Sequence, residues 1–280
     1  MSLLEFWGKT KSTIDLMIED FLKGVKEWEV LEMSKYIMKD GKRFRGTLAL
    51  FFTEALGGTI ESALKGAVAT EILHSASLAL DDIVDYDVTR RGDKSAWIVY
   101  GNRRVIFVTN YLIPTALNMI STYGEIALNT SINLWKDTAV GALKDLYGKK
   151  EDYEQTIDLK TSSLFKLSTC IASFASHKVE LLDSLLEMGR LLGVMYQVID
   201  DYADVKTMEP EKLVGSARQL YELAGDKTQE YVKNSFLKYK ERYVEMVNQL
   251  PFISHFRSDI QQMPDFLITG LLNEAGIDSF

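Results

Sequence analysis

The spacing Asp-Asp-x-x-Asp occurs twice, as Asp81, Asp82 and Asp85 in SLALDDIVDYD and as Asp200, Asp201 and Asp204 in YQVIDDYADV. Each copy ends a long segment whose apolar residues recur at helical spacing, so each is expected on a helix. Residues three or four apart share a helix face, which puts Asp81 beside Asp85 and Asp200 beside Asp204, with the middle aspartate roughly 100° round. Clustered, unpaired carboxylates are very costly in a dry core. They are tolerable where two helix ends line opposite walls of one cavity in a helix bundle and divalent cations join carboxylates to phosphate oxygens. The expected architecture is therefore all-α: a single-domain bundle of ten or more helices around a central cavity, spanning residues 1–280.

The rest of the chain agrees with that architecture. There are only four prolines, and no fixed-period repeat, low-complexity tract or linker interrupts the helical text. Helical segments are expected from Leu3 to about Val30, through KRFRGTLALFFTEALGG, from Glu61 to about Tyr86, from Ser121 to Gly148, through DLKTSSLFKLSTCIASFAS, from Leu181 to Val205, from Lys227 to Leu250 and from Ser254 to Asn273. The segment after Ser95 is less regular, and Pro114 should kink or interrupt its helix. Gly124 and Gly141 permit close helix contacts. Pro210 and Gly215 mark a loop after the second aspartate motif.

Composition excludes several classes of function. A net charge of -8 and a pI near 5.1, with acidic residues spread along the chain, argue against nucleic-acid binding. One cysteine, Cys170, rules out an intramolecular disulfide framework and fits a reducing, cytoplasmic setting. The N-terminal residues read as an amphipathic helix rather than a signal peptide, and no apolar run is long enough to span a bilayer. Neither glycine-rich nucleotide signature is present, so ATP and NAD are not suggested. Hard carboxylates without histidine or cysteine ligands nearby favour magnesium over zinc.

Cationic residues flank the first motif. Arg90, Arg91 and Gly92 follow it, and His74 lies seven residues before Asp81 on nearly the same face. Lys42 and Arg45 are three apart and can face one direction, as a solvated basic turn or as an anion site. Gln197 stands three before Asp200 and four before Asp201, so amide and carboxylates share a face. Lys160 and Thr161 open a helical segment and, by themselves, read as ordinary first-turn residues.

Taken in order, the Gly-Lys-Arg-x-Arg turn, the histidine seven before the first aspartate motif, Arg-Arg-Gly after it, the midway Lys-Thr and Gln-x-x-Asp-Asp-x-x-Asp resemble the trans-isoprenyl diphosphate synthases, or polyprenyl synthases, from GKRFRG to KLVGS. The resemblance implies the isoprenoid-synthase bundle, usually a homodimer, and head-to-tail condensation of isopentenyl diphosphate with an allylic diphosphate. It implies that Asp81, Asp82, Asp85, Asp200, Asp201 and Asp204 hold about three magnesium ions on the allylic diphosphate. Lys42, Arg45, His74 and Arg91 would hold isopentenyl diphosphate. Arg90, Lys160 and Lys212 would contact the allylic diphosphate, while Thr161 and Gln197 place oxygen dipoles near the developing cation.

In that family the two residues four and five before the first motif help set the cavity floor. Here they are the small Ser77 and Ala76, so products of twenty carbons, as in geranylgeranyl diphosphate, or longer are expected, with Leu73, Thr70, Phe51 and Phe52 available as a lower floor. The chain departs from the pattern after Ser216, where Ala217 and Arg218 replace the usual aspartate and nearby lysine of a closing loop, and at Thr109-Asn110, where Gly-Asp is common. The first departure keeps a second reading open, a non-catalytic or regulatory subunit of a heteromeric synthase. A class I terpene cyclase is a third, disfavoured by the Lys42, Arg45, His74 and Arg91 set.

Overall fold

A computed structural model describes residues 3–277, and helices account for nearly all of them. They are α1 (Leu3–Lys23), α2 (Trp28–Met38), α3 (Phe44–Ala55), α4 (Ile60–Val84), α5 (Ala96–Tyr100), α6 (Asn102–Ser121), α7 (Glu125–Tyr147), α8 (Tyr153–Ile157), α9 (Ser163–Ala175), α10 (Leu182–Thr207), α11 (Gly215–Ala224), α12 (Thr228–Gln249) and α13 (Ser254–Ala275). Among the described residues the extended structure is one two-residue ladder, Thr89–Arg90 against Asp93–Lys94. Its tip is Arg91-Gly92, both at positive φ (54° and 83°), as a tight two-residue hairpin requires.

The centre is built from α3, α4 and α9, which pack on one another, and from α10, which packs on α9, while α6, α7, α12 and α13 cover them. Helix α4 can occupy that position because its buried surface is studded with small residues, Ala63, Gly66, Ala67, Ala69, Ala76 and Ala79, which let several neighbours approach at once. It is started by a capping box, with Thr59 Oγ1 accepting from Ser62 N at 3.2 Å and Thr59 N donating back to Ser62 Oγ at 3.3 Å. Both aspartate motifs fall in the last turns of the long helices α4 and α10, as the apolar periodicity indicates.

Three boundaries differ from the sequence expectation. The first helix does not reach Val30: it stops at Lys23, where the N–H groups of Gly24 and Val25 turn back to Phe21 and Leu22 carbonyls at 3.0 Å, and α2 begins afresh at Trp28. Helix α7 starts at Glu125 rather than Ser121, because Gly124 sits at φ 104°. Pro114 does not interrupt α6; it and Asn110, the residue whose carbonyl loses its donor, both lie on the exposed edge, where water can replace the missing bond.

Candidate active site

The two motifs share one arrangement. The first and last aspartates keep their carboxylates more open, Asp81 and Asp200 half-buried and Asp85 and Asp204 exposed, whereas the second is buried. Asp82 is 2% exposed and bound by Arg90, whose Nε donates to Oδ1 at 2.8 Å and whose Nη2 meets the same oxygen. Asp201 is likewise 2% exposed and saturated: Gln197 Nε2 donates at 2.9 Å, Ser216 Oγ at 2.7 Å and Tyr153 OH at 2.9 Å. Of the six carboxylates expected to be metal ligands, these two are the ones held by protein donors. The cause is the roughly 100° step between neighbours on a helix, which turns the second aspartate of each motif into the bundle.

The open carboxylates carry charge that the protein does little to neutralise. Burial pushes Asp81 up to about 6, only partly countered by Lys160, and Asp204 up to about 6. Burial raises Asp85 and Asp200 in the same direction. Such groups favour an added cation. Among the described residues, no group of three or more His, Cys, Asp or Glu side chains is placed to hold a metal ion alone. The donor set thus fits a hard divalent cation that takes one or two carboxylates and completes its shell with water and phosphate oxygen.

On the side of α4 that faces α3, Arg45 Nη1 donates to His74 Nε2 at 3.0 Å, and the Arg45 guanidinium stacks 4.8 Å from the Phe165 ring centroid. Arg45 Nε is buried with no partner, so donor capacity is left over. Below them Glu71, 2% exposed, accepts from Gly46 N at 2.7 Å and supplies negative charge near Arg43, Arg45 and Arg91. Burial, together with Arg45 and Arg91, holds His74 well below its ordinary range. Lys42 pairs with Glu274 of α13, and Arg91 Nη1 donates to the Lys39 carbonyl at 2.5 Å.

Lys160 and Thr161 are not first-turn residues. They sit in a π-helical turn, Asp158–Ser162, between α8 and α9. Two glycines make room for it. A Cβ on Gly141 of α7 would fall on the Lys160 backbone nitrogen, and one on Gly193 of α10 would fall on Ser162. The widened turn brings Thr161 Oγ1 to Gln197 Oε1 at 2.6 Å, while the Gln197 amide nitrogen reaches Asp200 at 3.1 Å and Asp201 at 2.9 Å. Lys160 Nζ donates to Asp145 at 2.6 Å; burial alone would lower its pKa, but Asp81 and Asp145 outweigh that and raise it.

Lys212 stands apart from this constellation. It is exposed and pairs with Glu209 at 2.8 Å, in a short 3-10 turn before α11. The segment after Ser216 is the helix that the sequence suggests, and it begins at Gly215. Asp145, Tyr153, Ser216, Glu71 and Gly193 belong to the site yet escaped the sequence reading. Only Asp145 had a usable signal, a lone acid one helical turn after a glycine.

A helical bundle whose two long helices α4 and α10 each end in an Asp-Asp-x-x-Asp motif belongs to the trans-prenyltransferase class. The polyprenyl synthetase family model matches residues 27–215. A hexaprenyl pyrophosphate synthase of Saccharolobus solfataricus is 57% identical over 280 residues, 99% of each chain. A geranylfarnesyl diphosphate synthase of Methanosarcina mazei is 34% identical over 167 residues, 58% of this chain and 57% of that one. Among solved structures, a geranyltranstransferase from Methanosarcina mazei matches with TM-score 0.78 and 26% identity over 92% of this chain and 96% of that one. One from Thermotoga maritima, at 22% identity and TM-score 0.80 over 95% and 99%, shares the fold. The chain belongs to the polyprenyl synthetase family.

Proposed function

We propose that this chain is a magnesium-dependent synthase that adds isopentenyl diphosphate head-to-tail to an allylic diphosphate, releasing a linear trans-polyprenyl diphosphate of twenty carbons or longer. The observation that carries the proposal is the shared arrangement of the two motifs, with Asp81, Asp85, Asp200 and Asp204 open while Asp82 and Asp201 are locked by the protein. Such an arrangement keeps four carboxylates available and fixes their helices. Magnesium, when bound there, would supply Lewis-acid stabilisation of the departing pyrophosphate, with about three ions expected.

The chain's own residues would do the rest. Lys160 and Arg90 hold the allylic diphosphate; Arg45, His74, Arg91 and Lys42 hold isopentenyl diphosphate, with the unpartnered Arg45 Nε as a ready donor. The allylic C–O bond breaks, and the double bond of isopentenyl diphosphate supplies the electron pair for the new C–C bond. The proton then lost goes to the released pyrophosphate. Thr161 and Gln197 are fixed by their mutual bond, so their oxygen dipoles need no reorganisation as the cation develops. Lys212 would have to leave Glu209 to join the allylic diphosphate.

Products of six isoprene units are the leading expectation, on the strength of the hexaprenyl relative and the small Ser77 and Ala76. A cytoplasmic homodimer is part of the reading; exposed Phe107 and Tyr111 on α6 and Val140 and Leu143 on α7 offer apolar surface to a second copy. No helix among the described residues is long and apolar enough to cross a membrane.

The test is to incubate purified protein with magnesium, labelled isopentenyl diphosphate and allylic starters of five to twenty carbons, and to size the products by chromatography. Elongated linear products carry the proposal. A folded protein that elongates no starter overturns it in favour of a non-catalytic subunit, the reading that the helical segment after Ser216 keeps open.

A further inference from the structure

One buried carboxylate ties the segment after the second aspartate motif to the lysine of the π turn. Asp145 lies one helical turn beyond Gly141 on α7 and is 7% exposed. Its Oδ2 accepts from Lys160 Nζ at 2.6 Å and its Oδ1 from the backbone N–H of Ser216 at 2.7 Å. Gly215, at φ 55°, presses so close that a Cβ would meet both carboxylate oxygens at 2.7 Å. From Ser216 the chain of bonds continues through Oγ to Asp201 at 2.7 Å. The turn therefore bridges α7 and α10 behind Lys160.

Lys160 stands between two acidic groups, Asp145, to which it is bonded, and the first motif, whose Asp81 and Asp85 attract it through space. A lysine ammonium is a point charge on a flexible stem and follows the strongest nearby field. Without Asp145 it would fall onto Asp81 and Asp85, occupying carboxylates that a cation must reach and leaving the diphosphate without its ammonium.

We propose that Asp145 is a positioning residue that holds Lys160 off the first aspartate motif and toward the allylic diphosphate. The Gly215-Ser216 turn fixes the Asp145 carboxylate, so the segment after the second motif serves in this chain as a rigid strut. This deepens the reading above and rests on Lys160 binding the allylic substrate.

Asp145→Asn keeps the shape and the acceptor for Ser216 N–H but removes the charge. Gly215→Ala disturbs the same carboxylate from the other side. Both are compared with the unaltered full chain for helical content and melting, for the rate at which an amine reagent labels Lys160 by mass spectrometry, and for the KM of each substrate. In Asp145→Asn the labelling of Lys160 should rise severalfold when magnesium is added, because the cation displaces the ammonium from Asp81 and Asp85, whereas in the unaltered chain, where Asp145 already holds the ammonium, magnesium should change it little. It should raise the allylic KM on the order of tenfold and leave the isopentenyl diphosphate KM within about twofold. In a Lys160→Ala background it should add nothing further to the allylic KM. A folded, active Asp145→Asn protein whose labelling magnesium leaves unchanged and whose allylic KM is unchanged overturns the proposal, as does equal weakening of both substrates. Should the unaltered chain elongate nothing, the proposed function fails, and the labelling result alone decides whether Asp145 holds Lys160. If Gly215→Ala does not fold, Asp145→Asn carries the test.

Discussion

Arg45 Nη1 lies 3.0 Å from His74 Nε2, joining α3 to α4 beside the first aspartate motif. A guanidinium can only donate, so Nε2 is the acceptor and the ring is neutral with its proton on Nδ1. Burial and the flanking Arg45 and Arg91, which hold the ring well below 6.5, agree with that assignment. A neutral histidine leaves the local positive charge to the arginines, which keep it at every working pH.

A pH dependence of stability follows. The folded pKa of His74 is depressed, so the unfolded chain binds the extra proton first. Stability is fully present above about 6.5 and is lost as pH falls below it, by at most about 1.4 kcal/mol per pH unit. Denaturant titrations from neutral to acidic pH should show the unaltered chain losing more stability than His74→Gln; parallel curves would contradict the neutral ring.

The motif aspartates should separate into two groups. Replacing Asp81 or Asp200 by Asn should cut turnover by roughly a hundredfold or more with the melting transition little changed. Asp201→Ala should chiefly destabilise, by about 1–3 kcal/mol, since Tyr153, Ser216 and Gln197 lose a shared acceptor. Paired kinetic and unfolding measurements on the three variants check the division.

The glycines around the π turn are open to direct test. Gly193→Ala places a methyl group where Ser162 stands, and overpacking of this kind costs about 1–3 kcal/mol. Because the displaced backbone carries Thr161 and Lys160, the loss of turnover should exceed the loss of stability, whereas Gly8→Ala on open α1 surface should leave turnover unchanged and raise stability by about 0.5–1 kcal/mol. Unfolding midpoints and initial rates on both variants provide the comparison.

Product length should respond to Ser77 more cleanly than to Ala76. Ser77 is half-buried, whereas Ala76 is 0% exposed among packed helices. Ser77→Phe should shift products toward fifteen carbons in a protein that melts near the normal temperature, while Ala76→Phe should lose stability by overpacking. Chromatographic sizing alongside thermal melts distinguishes the two.

The all-helical fold and the placement of both aspartate motifs were legible in the sequence because they depend on local rules. Helical periodicity holds within a segment, and a residue's face follows from its number along the helix. The same rules located His74 in register with Asp81 and Gln197 beside Asp200. What the sequence could not give were partners chosen across long separations. Ser216 meets Asp201 and Asp145, Gly193 makes room for Ser162, and Lys160 finds Asp145 only once α7, α9 and α10 have packed. Sequence spacing offered six alike aspartates. The tertiary structure decided which two are fully buried and held by protein donors and which four keep part of their carboxylate open, because burial forces every inward carboxylate to find donors.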